Sequence, residues 1–212
     1  AAQASGQRDA AMNAMDAIRG IIAAHPAFTT AYGMLASMQR DTGDLSGAIA
    51  TLEGIIRRNI ADQTVMVVLA GYLLEAGSTE KALALIAVVI EAHPDYAEAY
   101  NSQGVIYMRL RQHERARAAF NRVLELDPTS ATAYANRGAD EISAGQISSA
   151  IEDFKQAVAL DPRQYDALYN LGMALSDEGR RDEARPFLER FVRDAPPQRY
   201  AQDIARLRAV LK

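Results

Sequence analysis

The chain has 212 residues, of which 49% are hydrophobic and 24% are charged, a balance typical of folded globular proteins rather than disordered ones. Its 23 basic and 27 acidic side chains give a formal net charge of −4, so the overall basic excess usual in nucleic-acid-binding proteins is absent. The absence of cysteine excludes disulfides, thiolate catalysis and cysteine-ligated metals. No apolar run is long enough to span a bilayer, and we expect neither nucleic-acid binding nor membrane insertion.

The chain opens with one predicted helix, over about residues 8–24, which Pro26 brings to an end. We expect Ile18, Ile21 and Ile22 to pack against the helices that follow. This helix corresponds to only the second half of the repeating unit found further along. A half unit leaves one apolar edge without a partner, so we also predict self-association through this end of the chain.

From residue 29 onward the sequence repeats with a period of 34 residues, which indicates a helical repeat protein. A proline closes the second helix of a unit, and a glycine suits the left-handed turn between its two helices. The repeated positions are Pro94, Pro128, Pro162 and Pro196, and Gly43, Gly77, Gly145 and Gly179. Arg111 fills the gap in the glycine series. Where the first unit lacks its proline, Asn59 and Asp62 are expected to stop one helix and cap the next.

Further series with the same period carry small residues on the first helix and large residues on both helices, those of the first being Tyr32, Met66, Tyr100, Tyr134 and Leu168. The small residue lets the two helix axes approach to about 8–10 Å, and the large one fills the remaining space. The small residues are Ala36, Ala70, Gly104, Gly138 and Gly172, and the large ones of the second helix are Leu52, Ile86, Phe120, Phe154 and Leu188. We therefore predict closely packed helix pairs that recur every 34 residues.

These residues together resemble the tetratricopeptide repeat (TPR) family. Repeat 131–164 carries its pattern most fully, with Tyr134, Gly138, Gly145, Ala150, Phe154, Ala157 and Asp161-Pro162. The resemblance implies an all-α, right-handed superhelix whose first helices line a concave groove for peptides or partner helices. The implied segments are a half repeat at 1–28, full repeats at 29–62, 63–96, 97–130, 131–164 and 165–198, and a capping helix at 199–212.

The candidate binding residues are those on the first helices that the packing series do not use. They are Val67, Gly71, Leu74, Asn101, Ser102, Val105, Met108, Arg109, Asn136, Asn170 and Met173. Asn136 and Asn170 lie one period apart, and a repeated amide can hold a peptide backbone because it both donates and accepts hydrogen bonds. The alternative is that asparagine is simply common at this solvated position.

The predicted partner is a protein or peptide that is apolar and neutral to basic. Val67, Val68 and Leu74 form an apolar strip with a dent at Gly71, and such strips often mark interfaces. Residues 1–106 carry 6 basic and 11 acidic side chains, a net charge of −5, which favours neutral or basic ligands. The alternative is that these apolar residues pack against an N-terminal segment that this sequence lacks, or only tighten the packing of the repeats.

The sequence offers little for catalysis. It lacks a phosphate-binding loop, a nucleophile elbow and zinc-ligand spacing, and adjacent carboxylates such as Asp140-Glu141 point apart on a helix. We therefore predict a non-catalytic protein-interaction scaffold without metal or cofactor. The alternative is a repeat segment of a larger bacterial enzyme, because residues 191–211 resemble TPR tails that follow enzyme domains such as sulfatases. The sequence does not distinguish a cytoplasmic from a periplasmic protein.

Overall fold

The computed structural model describes the backbone of residues 2–211 and the side chains of residues 9–209 and Leu211. The described residues form twelve α-helices and no strand, which confirms the predicted all-α class. The helices are α1 (Ala2–Ala24), α2 (Thr29–Asp41), α3 (Leu45–Arg57), α4 (Gln63–Glu75), α5 (Thr79–Ala92), α6 (Ala97–Arg109), α7 (His113–Leu126), α8 (Ala131–Ser143), α9 (Ile147–Leu160), α10 (Tyr165–Asp177), α11 (Arg181–Asp194) and α12 (Pro197–Val210).

The two terminal helices differ from their predicted bounds. Helix α1 begins at Ala2 rather than near residue 8, because alanine and glutamine in residues 2–7 are helix formers that outweigh one serine and one glycine. Helix α12 begins at Pro197 rather than residue 199. Proline is well suited to the first helical turn, where its missing N–H has no partner to lose. Residues 1 and 212 of the predicted terminal segments lie outside the described part of the chain.

The turns inside the helix pairs have the predicted backbone conformation. Gly43, Gly77, Gly145 and Gly179 have φ between 76° and 90°. Arg111 takes the same left-handed conformation at φ 58°, and Asn59 does so at φ 55°, as asparagine tolerates better than most residues. Asp62 then caps α4, its Oδ1 accepting a hydrogen bond from the Val65 N–H at 2.9 Å. The predicted stop and cap around residue 60 are confirmed.

The chain divides into two compact units, Ala1–Ser102 and Gln103–Lys212, with the boundary inside α6. We call them the N-terminal unit and the C-terminal unit. The core of the N-terminal unit is largely aliphatic, with Leu52, Ile55 and Ile86 fully buried. The core of the C-terminal unit includes the fully buried rings of Phe120, Phe154 and Phe191.

The predicted small-to-large packing is confirmed in the C-terminal unit. A Cβ atom added to Gly104 would lie 2.5 Å from Cε1 of Phe120, and one added to Gly138 would lie 2.9 Å from Cε1 of Phe154. Gly172 has the same relation to Leu188. Real Cβ atoms do not come so close to a buried side chain, so these three glycines are required by packing.

Helix α1 packs on α2 through one narrow face. Met15 and Ile18 are buried against Ala31 and Leu35, with Ile22 partly buried beside them. The prediction that Ile21 also packs there is wrong, since its side chain is 44% exposed. Residues 21 and 22 are neighbours, about 100° apart around a helix, and only the second falls on the face of residues 15 and 18.

Side chains from the following helices secure the loops that contain the prolines. The Tyr32 hydroxyl donates to the carbonyl of Pro26, and the Tyr100 hydroxyl to that of Pro94, each at 3.1 Å. Leu168 stands at the corresponding tyrosine position further on and has no hydroxyl. There the Arg190 guanidinium donates to the carbonyl of Pro162 at 2.6 Å. The loop at Pro162 thus has a side-chain donor although the tyrosine is replaced.

Candidate functional site

The N-terminal unit carries an open depression between its first helices α2 and α4. The depression has a volume of about 520 Å³. Its lining combines apolar side chains with hydroxyls and one carboxylate: Thr29, Thr30, Gly33, Met34, Ser37, Leu52, Asp62, Thr64, Val65 and Val68. Met34 is 54% exposed and Val68 is 37% exposed, so apolar surface is open to solvent here. Such a surface can take up an apolar side chain of a ligand.

The predicted apolar strip on α4 needs correction at one residue. Leu74 is only 7% exposed and belongs to the core of the unit. It follows the small packing residue Ala70 by four positions, which places both on the buried face of the helix. Val67 is half-buried, and Gly71 has open space where a Cβ would be. The exposed apolar residue of the strip on this helix is Val68, which also lines the depression.

The candidate residues on α6 fall on both sides of the boundary between the units. Asn101 and Ser102 are partly buried in the N-terminal unit, and Asn101 is engaged with a neighbour. Val105 and Met108 are partly buried in the C-terminal unit, and Arg109 is exposed. Their role in binding stays a prediction.

The C-terminal unit has a cavity of about 220 Å³ between its first helices α8 and α10. Its lining residues are Ala139, Ile142, Ile147, Asn170, Met173, Ala174 and Asp177. Asn170 and Met173, both predicted groove residues, therefore share one site. Asn136 is not among the lining residues and is engaged with a neighbour. The cavity combines an apolar floor with one amide and one carboxylate.

A cluster of charged side chains lies between α7, α8 and α9 of the same unit, and sequence reasoning missed it. Arg137 donates to Asp153 through Nε and Nη2, at 2.6 and 2.7 Å. Asp140, only 1% exposed, lies 2.9 Å from Nδ1 of His113. Glu141 is buried beside them. Residues 137 and 153 are 16 positions apart, the same offset as the packed pair Gly138 and Phe154. This offset was the sequence signal from which a contact between Arg137 and Asp153 could have been predicted.

The Glu141 carboxyl has a strongly shifted pKa. Burial, with added repulsion from the Asp153 carboxylate, raises its pKa to about 7, although Arg137 and Arg117 oppose the shift. Its Oε2 atom is buried without a hydrogen-bond partner among the described residues. The adjacent carboxylates were expected to point apart and so to do little, but burial has placed Glu141 in an unusual electrostatic environment.

Helix α12 closes the C-terminal unit with an aromatic and charged contact. The buried Tyr200 packs against Phe191, with ring centroids 5.2 Å apart. Its hydroxyl donates to Asp166 at 2.9 Å, and Arg199 donates to the same carboxylate at 2.6 Å. Burial, reinforced by Asp166, raises the pKa of Tyr200 to about 12. The predicted packing of this last helix on the repeats is confirmed.

Among the described residues, no group of three histidine, aspartate or glutamate side chains is arranged to hold a metal ion. No helix formed by those residues combines the length and apolar character required to cross a membrane.

Three family models match the chain, and each is described as tetratricopeptide repeat. They match residues 67–131, 103–167 and 141–209. The matches overlap and together extend from α4 to α12. None of the curated proteins compared with the chain matches it.

Solved structures with the same fold come from several bacteria. A thermophilic TPR protein of Thermus thermophilus is 22% identical with a TM-score of 0.70, covering 84% of this chain and 94% of its own. A tetratricopeptide repeat protein of Parabacteroides merdae is 21% identical with a TM-score of 0.69, covering 90% and 76%. MamA from Desulfovibrio magneticus is 20% identical with a TM-score of 0.62, covering 76% and 92%. These likenesses confirm the predicted fold class, an all-α superhelix of helix pairs.

Proposed function

The chain belongs to the tetratricopeptide repeat family, and from that premise we propose that it is a non-catalytic scaffold that binds a peptide or partner helix along its first helices. Family and fold support a protein-interaction scaffold in general. The proposal adds the place of binding. No family match adds support for the alternative of a docking segment in a larger sulfatase-like enzyme, since each match is to tetratricopeptide repeats.

The observation that carries the proposal is that each unit has an open site lined by its first helices. In the N-terminal unit the site lies between α2 and α4, and in the C-terminal unit between α8 and α10. Both sites combine apolar surface with a few polar groups, the usual composition of a recognition site. Side chains that line these two sites are therefore available to a ligand.

The chemistry of the sites favours a partner that is apolar and neutral to basic. Met34 and Val68 supply exposed apolar surface in the N-terminal unit, and burial of such surface is worth about 25 cal/mol per Å². Asp62 and Asp177 each add a carboxylate to a lining. Asn170 can donate to and accept from a peptide backbone. A peptide with one apolar anchor next to a basic residue fits both sites.

The first experiment tests the N-terminal site with a phage-displayed library of random peptides selected on the whole chain. Selected peptides are then measured against Met34→Glu and against Val88→Glu as a matched control, because both residues are 54% exposed. Val88 lies on the second helix α5. We expect Met34→Glu to weaken binding about tenfold or more, equal to about 1.4 kcal/mol, and Val88→Glu to leave it unchanged. Equal losses in the two variants would contradict binding between α2 and α4.

The second experiment tests the C-terminal site with the same peptides. Asn170→Ala removes the amide that lines the cavity, and Gln156→Ala removes an exposed amide from the second helix α9. A buried peptide group left without its partner costs roughly 1–3 kcal/mol. We expect the first variant alone to lose affinity. Unchanged binding in both variants would remove the asparagine from the proposed site.

Self-association is a second candidate function, and exposed side chains at the start of the chain favour it. Met12, Ile21 and Phe28 are large hydrophobic residues that remain exposed. Contact between two copies would bury them. We expect the mass measured by light scattering to rise with concentration and Ile21→Lys to reduce that rise. A constant monomer mass across concentrations would contradict self-association and leave peptide binding untouched.

A further inference from the structure

The charged cluster in the C-terminal unit brings three carboxylates together in a buried place. Asp140 and Asp153 are buried, and Glu141 is only 6% exposed. Two of the three are paired with a basic side chain: Asp153 with Arg137, and Asp140 with His113. Glu141 has no such partner at Oε2. A buried carboxylate without a full set of hydrogen bonds is costly when ionised.

The groups that face this cluster come from several packed helices. Helix α7 contributes His113 and Arg117, and α9 contributes Asp153. On α8 itself, Arg137 lies one turn before Glu141, and Asp140 is adjacent to it. Helix α10 contributes Asp177 to the cavity that Ala139 and Ile142 of α8 also line.

The neighbouring arginines do not fully compensate the negative charge of an ionised Glu141. Arg137 is committed to Asp153 and also donates to Asn121 at 2.6 Å through Nη1. Arg117 donates to Gln146, and its Nε is buried without a partner among the described residues. Both arginines lower the cost of a negative Glu141, but neither forms a hydrogen bond with its Oε2. A proton is the simplest group that can relieve the remaining repulsion.

We propose that this cluster is a proton-sensitive switch, which binds a proton at Glu141 and thereby tightens the packing of α7, α8 and α9 in mildly acidic solution. The proton adds to a carboxylate oxygen and removes one of three neighbouring negative charges. No other bond is made or broken. The switch is independent of any ligand, because the cluster is complete within the C-terminal unit.

The expected direction follows from the pKa of about 7 in the folded chain, against an ordinary value of 4.5 for a glutamate. Folding then favours the protonated form, so the stabilisation is fully present below pH 4.5 and is lost as the pH rises through about 7. Between pH 6 and pH 8, we expect the melting temperature to fall by about 3–5 °C. Histidine changes charge in the same range, so the contribution of Glu141 must be isolated by substitution.

The test compares thermal melts of the wild type, Glu141→Gln and Glu152→Gln at pH 6 and pH 8. The amide keeps the shape of a protonated Glu141 but does not titrate. We expect Glu141→Gln to melt higher than the wild type at pH 8 and to lose most of the difference between the two pH values. Glu152, exposed on α9, is the matched control and should retain that difference.

A second measurement does not depend on the variants. The carboxyl carbon of Glu141, followed by NMR in the wild type, should titrate with a midpoint near pH 7. A midpoint near its ordinary value of 4.5, or a Glu141→Gln variant with the same pH dependence as the wild type, would overturn the proposal. A flattened dependence together with a midpoint near 7 would establish it.

Discussion

The two units use the same repeat spacing with different side chains. In the N-terminal unit the packing pairs are Ala36 with Leu52 and Ala70 with Ile86, all buried. In the C-terminal unit, Gly104 contacts Phe120 and Gly138 contacts Phe154. In these two pairs the larger ring on the second helix is accompanied by a smaller residue on the first, so the combined side-chain volume is similar to that of alanine with leucine. The third pair of the C-terminal unit, Gly172 with Leu188, does not follow this exchange.

The units also differ in where their unusual residues lie. Of the large hydrophobic side chains that remain exposed among the described residues, six belong to the N-terminal unit. The C-terminal unit instead buries Asp140, Glu141 and Asp153. Exposed apolar surface favours contact with another molecule, whereas buried charge makes a structure sensitive to protons. Units with the same repeat pattern therefore differ in a physical property: the N-terminal unit exposes apolar surface, and the C-terminal unit buries charge.

The largest effect is expected from Leu74→Ala, which tests whether α4 of the N-terminal unit presents this residue to the core. Because Leu74 is buried, its truncation should cost about 2–4 kcal/mol of unfolding free energy through lost contacts and a cavity. Val68→Ala on the same helix removes a more exposed side chain and should cost less than about 1 kcal/mol. Urea denaturation measures both. Equal costs would contradict the assignment of Leu74 to the core.

An intermediate effect is expected from Gly104→Ala. This variant tests whether the space between Gly104 and Phe120 is already filled. The added Cβ would meet the buried ring of Phe120 at 2.5 Å, so we expect a loss of about 1–3 kcal/mol. Gly71→Ala is the matched control, since nothing lies within 4 Å of that position. It should gain about 0.5–1 kcal/mol, because alanine is the better helix former.

The same position offers a rescue that sharpens the comparison. The double variant Gly104→Ala with Phe120→Leu gives the C-terminal unit the pair that the N-terminal unit uses at Ala36 and Leu52. We expect it to be more stable than Gly104→Ala alone, because the two changes offset each other in volume. Additive losses in the double variant would show that the two units do not share one packing rule.

The smallest effect is expected from Tyr200→Phe at the end of the C-terminal unit. Its hydroxyl donates to Asp166, which also has Arg199, so the loss should be about 0.5–1 kcal/mol. In the wild type, absorbance should show that this phenol ionises only near pH 12. A phenol that ionised at the ordinary value of 10 would mean that Tyr200 is not buried as described.

The repeat period predicted the fold because each repeated residue acts through local geometry. A left-handed turn at Gly77 or a cap at Asp62 depends on a few neighbouring residues, and the 16-residue offset of Gly138 and Phe154 depends on one helix pair. The sites were predicted less well. Leu74 was placed on the surface because its burial depends on which face of α4 meets the next helix. Asp140 and Glu141 were dismissed because their partners come from other helices.

The hydrogen bonds to the carbonyl groups of the proline loops determine where a repeat should be cut when it is transplanted or deleted. Tyr100 and Arg190 lie in predicted repeats that start after Pro94 and Pro162, whose carbonyls they bind. A transplanted cassette cut at the start of its first helix would leave that acceptor behind. A cassette cut at the proline, such as residues 94–127 or 162–195, carries donor and acceptor together. For grafting or deletion, the 34-residue segment that contains both partners of this hydrogen bond therefore begins at the loop.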